Sequence, residues 1–295
     1  MIGVFDSGVG GLTIHRALVD RMPQADFTYL GDQAHAPYGG RPGEEIVDLT
    51  RDSCRLLFER GASLVVLACN TASAVALRRL QQTWLPGLRR ELGRSVNVLG
   101  VIVPTIEAAT GRPWASDAWD LDPERRGEKA EKLDVVGVFA TRATAGSRVY
   151  EIEISKRRDD VAAFSEACPD LARMIEAGEP REAMAALIAE HVRALSLRVG
   201  RPPDRAVLGC THYEIVADLF REALAPGTPL IHQPSAVAQA LERYLQAHPE
   251  YEPGTGGARH FITTGAAADQ NALVETFWGA PLRFEAARAQ DPPMN

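Results

Sequence analysis

The sequence predicts an α/β fold with two similar, pseudo-symmetric domains, each a mainly parallel sheet flanked by helices. Three observations point there. Short continuous apolar runs alternate with longer helical patterns, as expected of parallel strands covered on both faces. The length, 295 residues, suggests two domains at roughly 150 residues each. The third observation is an internal echo. Gly3-Val4-Phe5-Asp6-Ser7 returns as Gly137-Val138-Phe139-Ala140-Thr141, and Val66-Leu67-Ala68-Cys69 returns as Val207-Leu208-Gly209-Cys210. The order is the same and the offsets are close. Echoes this short also arise among generic strand ends, but a shared order favours a duplicated domain.

The apolar runs place strands at Ile2–Phe5, Phe27–Leu30, Leu64–Ala68, Val96–Val103, Val135–Phe139, Ala206–Gly209, Pro229–Ile231 and His260–Thr263. Helical spacing of apolar residues predicts helices over Thr13–Arg21, Glu44–Glu59, Ala72–Gln82, Arg181–Leu197, Ile215–Ala225, Ala236–Ala247 and Ala268–Trp278. The stretch Thr110–Asp134 breaks the alternation. It holds Trp114 and Trp119 among many charges and reads as a solvated excursion or, more sharply, as a lid or subunit contact. The tail after Arg288 is polar and is expected to fray.

Composition removes several function classes. Hydrophobic residues make up 45% and charged residues 24%, ordinary for a globular chain. The net charge of −7 argues against a sequence-independent grip on nucleic acid, which needs phosphate-neutralising cations. Aromatics at 6% make a base-stacking platform a poor fit. No apolar stretch approaches the ~20 residues that span a bilayer. Met1–Asp6 carries no secretion signal, so a cytoplasmic location is expected. Four cysteines (Cys54, Cys69, Cys168, Cys210) do not make a disulfide scaffold at this size, and no CxxC or HExxH suggests zinc.

Ligands of such sheets bind beyond the carboxyl ends of the strands, so the residues there carry the interest. Asp6-Ser7-Gly8-Val9-Gly10-Gly11 joins a strand to a helix and could cradle a small anion. It is not a dinucleotide fingerprint, because Thr13 stands where the third glycine belongs. A tight turn with a capping Asp or Ser explains it equally well. Cys69 ends an apolar strand just before a helix start, a setting that favours thiolate, with Asn70 and Thr71 alongside. Cys210 ends another strand, with His212 two residues on as an acid–base partner. Cys54 lies on an apolar helical stripe and Cys168 precedes Pro169, so both read as structural. Gly31–Gly39, Thr141, Thr144 and Ser147 add polar groups at further strand ends.

Racemisation beside a carboxylate is one reaction that uses two thiols and no cofactor. It needs a base on one face of a carbon and an acid on the other, and both forms of cysteine are accessible near neutral pH. The carbanion needs preorganised donors on its carboxylate.

At these residues the sequence resembles the glutamate racemases of the cofactor-independent aspartate/glutamate racemase superfamily. The matching segments are Asp6–Gly11, Pro37-Tyr38-Gly39, Ala68-Cys69-Asn70-Thr71-Ala72, Gly209-Cys210-Thr211-His212-Tyr213 and Thr263-Thr264-Gly265. The resemblance implies interleaved domains, 1–99 plus 213–295 and 100–212, with an insertion at about 110–134 and the active site at their interface. It implies Cys69 as the base for D-glutamate and Cys210 as the base for L-glutamate. Asp6 would assist Cys69; His212 and Glu176 would assist Cys210. Ser7, Pro37, Tyr38, Gly39, Asn70, Thr71, Thr141, Thr144 and Thr211 would hold the substrate. The implied partner is a small amino acid, handled without metal, nicotinamide or pyridoxal, by a homodimer that supplies D-glutamate for peptidoglycan. No nucleic-acid or membrane partner is expected.

The chain departs from the usual family pattern at Tyr213-Glu214 in place of Tyr-Pro. It also departs at Gln33-Ala34-His35-Ala36 before Pro37, and at Val103-Pro104-Thr105. None removes a thiol. Three other readings make distinct forecasts. A racemase of aspartate or another amino acid would keep the mechanism and change the substrate. A Cys210–His212 hydrolase would leave Cys69 dispensable and accumulate an acyl-enzyme. A two-lobed binding protein would bind amino acids without α-proton exchange.

Overall fold

The computed structural model describes residues 1–111, 133–266 and 271–287. The chain forms two compact units, Met1–Val101 with Val237–Asn295, and Ile102–Ala236. The strands in chain order are β1 (Ile2–Asp6), β2 (Phe27–Gly31), β3 (Leu64–Leu67), β4 (Asn97–Gly100), β5 (Asp134–Ala140), β6 (Val161–Ala167), β7 (Arg205–Gly209), β8 (Leu230–Ile231), β9 (Arg259–Thr263) and β10 (Glu285–Ala286). The first unit's sheet runs β10-β9-β2-β1-β3-β4 and the second's runs β6-β5-β7-β8. Every paired neighbour is parallel. The fold is α/β, with helices filling the crossovers that parallel strands require.

Continuous apolar runs became central strands because both of their faces are covered. All five residues of β1 are buried, and Ile2, Val4 and Phe5 are 0% exposed. Each such side chain contributes roughly 1.5–3 kcal/mol when removed from water. In the second unit, Val136, Val138 and Ala140 alternate along one face of β5. They pack with Ile102 and Ile106 of one helix and with Tyr150 and Ile154 of another.

The sequence echo has a structural counterpart. Strands β2-β1-β3-β4 and β6-β5-β7-β8 follow the same order. Val4 pairs with Val66 and Phe5 with Leu67 in the first sheet; Val138 pairs with Val207 and Phe139 with Leu208 in the second. Cys69 and Cys210 therefore follow equivalent strands in equivalent register.

Some elements differ from expectation. The strand expected over Val96–Val103 stops at Gly100, and Ile102–Thr110 is a helix with Pro104 in its first turn, where a missing N–H costs nothing. The helix expected to end at Gln82 continues through a π turn, Leu80–Trp84, into Leu85–Leu92, which likewise carries Pro86 in its first turn. β6 and the helices Arg142–Ser147, Val149–Ser155 and Leu171–Glu176 add to the expected set. The expected return to the first domain after residue 212 is earlier than the exchange at Ala236/Val237. Leu230 and Ile231 pair with Ala206 and Val207, which keeps residues 213–236 with the second sheet. Most of the expected insertion, with Trp114 and Trp119, lies outside the described residues, as does the tail from Arg288. Among the described residues no helix is long and apolar enough to cross a membrane.

Candidate active site

In the first unit, three strand ends gather the polar residues. The Asp6 Oδ1 atom, at the end of β1, accepts the Gly8 backbone N–H at 2.9 Å and folds the glycine loop back over the strand. Gly11 is required for this: a Cβ there would sit 2.5 Å from the Asp6 Cβ. Tyr29, buried in β2, donates its hydroxyl to the Gly8 carbonyl at 2.8 Å and pins the loop from the other side. From the end of β3 the chain passes through Ala68 to Cys69, which is 6% exposed. The Cys69 side chain caps the helix Asn70–Val75, its Sγ accepting the Ala72 N–H at 3.5 Å. The Ser7 Oγ atom lies 3.4 Å from the same sulfur. Hydrogen-bond donors aimed at a sulfur hold its anion more strongly than its neutral form. Asn70 and Thr71 open the helix and are buried.

The turn after β2 carries Pro37, Tyr38 and Gly39. Pro37 is exposed, Gly39 half-buried and Tyr38 buried, with its ring 6.2 Å from that of Phe5. Burial, then the Asp32 carboxylate, pushes the Tyr38 phenol far up, and the charges of Cys69 and Asp6 add to this. Tyr38 is thus within electrostatic reach of Cys69. The first unit therefore brings Asp6, Ser7, Tyr38, Cys69, Asn70 and Thr71 to one end of its sheet.

The second unit gathers the remaining expected residues. Cys210 follows β7, is 6% exposed and precedes a 3-10 turn, Thr211–Val216. Its Sγ is 3.8 Å from His212 Nδ1, and Thr211 Oγ1 is 3.5 Å from the same nitrogen. On its far side, His212 Nε2 contacts Glu176 Oε1 at 2.7 Å. Burial lowers the proton affinity of this imidazole. The hydrogen bonds to Cys210 and Glu176 raise it more, and the net position is pushed up to about 10. The imidazolium held there can donate to the Cys210 sulfur, the arrangement that activates thiols as acid–base groups. At the end of the neighbouring β5, Thr141 caps the helix Arg142–Ser147 and donates to Thr144 Oγ1 at 3.0 Å.

The other cysteines have different surroundings. Burial pushes the Cys54 thiol up, and burial followed by the Glu166 charge does the same at Cys168. The Cys168 carbonyl accepts the Tyr213 hydroxyl at 3.0 Å. Three further contributors carried no assigned role in the sequence reading: Asp32, which accepts the Tyr38 hydroxyl; Tyr29; and Gln233, buried and donating to Thr105 and Tyr150. The Asp-x-x-His-x-x-Tyr spacing at 32–38 was the available signal for the first. Tyr29 and Gln233 left none, because a tyrosine inside an apolar run reads as core and a glutamine at a helix start reads as surface.

The chain is 72% identical over 286 residues to a glutamate racemase of Caulobacter sp. (strain K31), covering 97% of this chain and 99% of that relative. It is 71% identical over 286 residues to a glutamate racemase of Phenylobacterium zucineum (strain HLK1), with the same coverage. Among solved structures, a glutamate racemase isoform from Bacillus anthracis matches with a TM-score of 0.80 at 27% identity, covering 97% of this chain and 96% of that one. No protein-family model matches the chain. With two strand-end cysteines in matched settings and this similarity along nearly the whole sequence, the chain belongs to the glutamate racemase family.

Proposed function

We propose that this chain interconverts L- and D-glutamate by proton transfer through two thiols. The observation that carries the reading is the pair Cys69 and Cys210, which follow equivalent strands of two sheets in matched register. Each has hydrogen-bonding groups at its sulfur. In the D-to-L direction the Cys69 thiolate takes the α-proton of D-glutamate. The electron pair left on the α-carbon is delocalised into the adjoining carboxylate, and the Cys210 thiol delivers a proton to the opposite face. The products are L-glutamate, a Cys69 thiol and a Cys210 thiolate; proton exchange with water resets the pair. The L-to-D direction reverses these roles.

Asp6 supports Cys69 in this scheme, and the His212–Glu176 pair supports Cys210. Ser7, Pro37, Tyr38, Gly39, Asn70, Thr71, Thr141, Thr144 and Thr211 hold the substrate's carboxylates and amino group. Such preorganised donors stabilise charge where it develops. The family supports a homodimer working in the cytoplasm and feeding D-glutamate to peptidoglycan synthesis.

The test uses purified, reduced protein in D₂O with chelator and no added cofactor. Loss of the α-proton signal and of optical rotation is followed for L-glutamate and, separately, for L-aspartate. The reading expects both losses with glutamate. A response to aspartate alone would replace the substrate, and silence with both would refute the racemase reading.

A further inference from the structure

A buried carboxylate at the same end of the first sheet as Cys69 has no part in the proton transfer described above. Asp32 follows β2 and is 2% exposed. Its Oδ2 atom accepts the Tyr38 hydroxyl at 2.6 Å, and its Oδ1 atom accepts the Thr264 hydroxyl at 2.5 Å. The Nδ1 atom of His35 lies 2.9 Å from Oδ1 and 3.1 Å from Oδ2. A carboxylate only accepts, so it is Nδ1 that carries the proton. The backbone N–H of Asp32 is bonded to the Asp6 carbonyl at 2.9 Å. One side chain thus gathers the turn after β2, the segment after β9 and the Tyr38 ring, which lies 6.2 Å from that of Phe5.

The surrounding contacts close the same knot. Thr264 accepts the Ala34 N–H at 3.2 Å, and its own N–H bonds to the Gly31 carbonyl at 3.1 Å. Thr263 donates to Gln33 Oε1 at 2.6 Å. Gln33 and His35 belong to the run that departs from the usual family pattern, so the departure itself supplies parts of the clamp. Because the Tyr38 hydroxyl is engaged by Asp32, the ring is held in one place.

We propose that Asp32 is a positioning residue for substrate binding: it acts through Tyr38, fixing the Pro37–Gly39 turn that the racemase reading assigns to the substrate. The inference rests on that reading. Steady-state kinetics of the wild type, Tyr38→Phe, Asp32→Asn and the double variant test it, for both glutamate enantiomers. Tyr38→Phe keeps the buried ring and removes only the hydroxyl, so it remains informative if Asp32→Asn folds poorly. Each single variant is expected to raise KM about tenfold with kcat within about threefold. The double variant should be no worse than about twofold beyond the weaker single, because groups acting as one unit are not additive. KM should rise for both enantiomers, since their equal free energies in water force kcat/KM to fall equally in the two directions.

An unchanged KM in Tyr38→Phe, a loss confined to kcat, or single-variant factors that multiply in the double would overturn the inference while leaving the racemase reading intact. A wild type inactive on glutamate would overturn both.

Discussion

Cys69 and Cys210 occupy matching places in two sheets of the same strand order, yet their neighbours differ in kind. The Cys69 sulfur has the Ala72 N–H at 3.5 Å and the Ser7 hydroxyl at 3.4 Å. Around Cys210 the close group is an imidazole whose proton affinity is raised, backed by the Glu176 carboxylate. The same divergence shows one strand over. Asp6 pairs with Gly31 in the first sheet, and Ala140 pairs with Ala167 in the second. Asp32 and Cys168 therefore follow equivalent positions, one a clamp and the other a buried thiol. Register has been kept and side-chain chemistry has not. For a reaction that needs a base on one side and an acid on the other, two unlike settings on one scaffold give each thiol its own control.

The strongest way to break this comparison is to remove one sulfur at a time. Cys69→Ser and Cys210→Ser should each lower net racemisation by about 10³-fold or more, near the upper range of general acid–base catalysis. Cys69→Ser should retain α-proton exchange in D₂O with L-glutamate alone, and Cys210→Ser with D-glutamate alone. Either variant exchanging both enantiomers would show that the two settings are not divided as described.

A smaller effect sharpens the second setting. Glu176→Gln removes one of the two groups that raise His212, so the alkaline limb of kcat/KM should move down from near 10. We expect a loss of roughly 10- to 100-fold at pH 8. The same shift bears on stability. Folded His212 holds its proton to about 10 against 6.5 unfolded, so its contribution is fully present below 6.5 and is lost as pH rises through 10. A limb unmoved in Glu176→Gln would place its origin elsewhere.

The first unit holds a buried histidine with the opposite shift. His15 is 0% exposed and ringed by Phe27, Tyr29, Phe261 and Trp278 at centroid distances of 5.4–5.5 Å. Among the described residues, neither ring nitrogen has a hydrogen-bond partner. Burial, with a contribution from Arg259, lowers it to about 3. The unfolded chain therefore gains a proton below 6.5 that the folded chain refuses, and stability falls as pH drops from 6.5 toward 3. His15→Phe should remove that loss, about 1.4 kcal/mol at pH 5.5 by the scale of one pKa unit. Melting curves of both proteins at pH 7.5 and 5.5 check this; equal acid sensitivity would contradict it.

Cys54→Ala is the mildest change and separates packing from chemistry. Cys54 is 0% exposed, so a cost of about 1 kcal/mol in stability is expected from the lost volume, with racemisation unchanged within twofold. A large loss of activity at intact stability would mean that thiols outside the matched pair matter.

Much of this was legible in the sequence because strand ends are short and chemically conspicuous. Cys69 and Cys210 each close an apolar run, and their twin settings were visible as an echo before any register was known. β6 was not legible. Val161–Ala167 is an edge strand, mostly half-buried, with three alanines and the adjacent polar pair Ser165-Glu166, so it carries less of the large apolar signature of its neighbours. The Ile102–Thr110 helix was hidden by Val101-Ile102-Val103, which reads as an extended run although the helix begins at Ile102 and takes Pro104 into its first turn. Asp32 stood in plain view in a polar segment. Its importance came from Thr264, more than two hundred residues away in sequence, and pairings of that range leave no trace in local pattern.

The most direct measurement follows the wild type acting on protiated L-glutamate in D₂O, stopped below about 10% conversion. The isotopic content of each enantiomer is then read separately by mass spectrometry. Two thiols with unlike settings predict D-glutamate carrying deuterium at the α-carbon while the remaining L-glutamate stays protiated. D-glutamate that keeps the substrate's protium, or deuterium entering both enantiomers at the same rate, would mean one base serving both faces and would contradict the account.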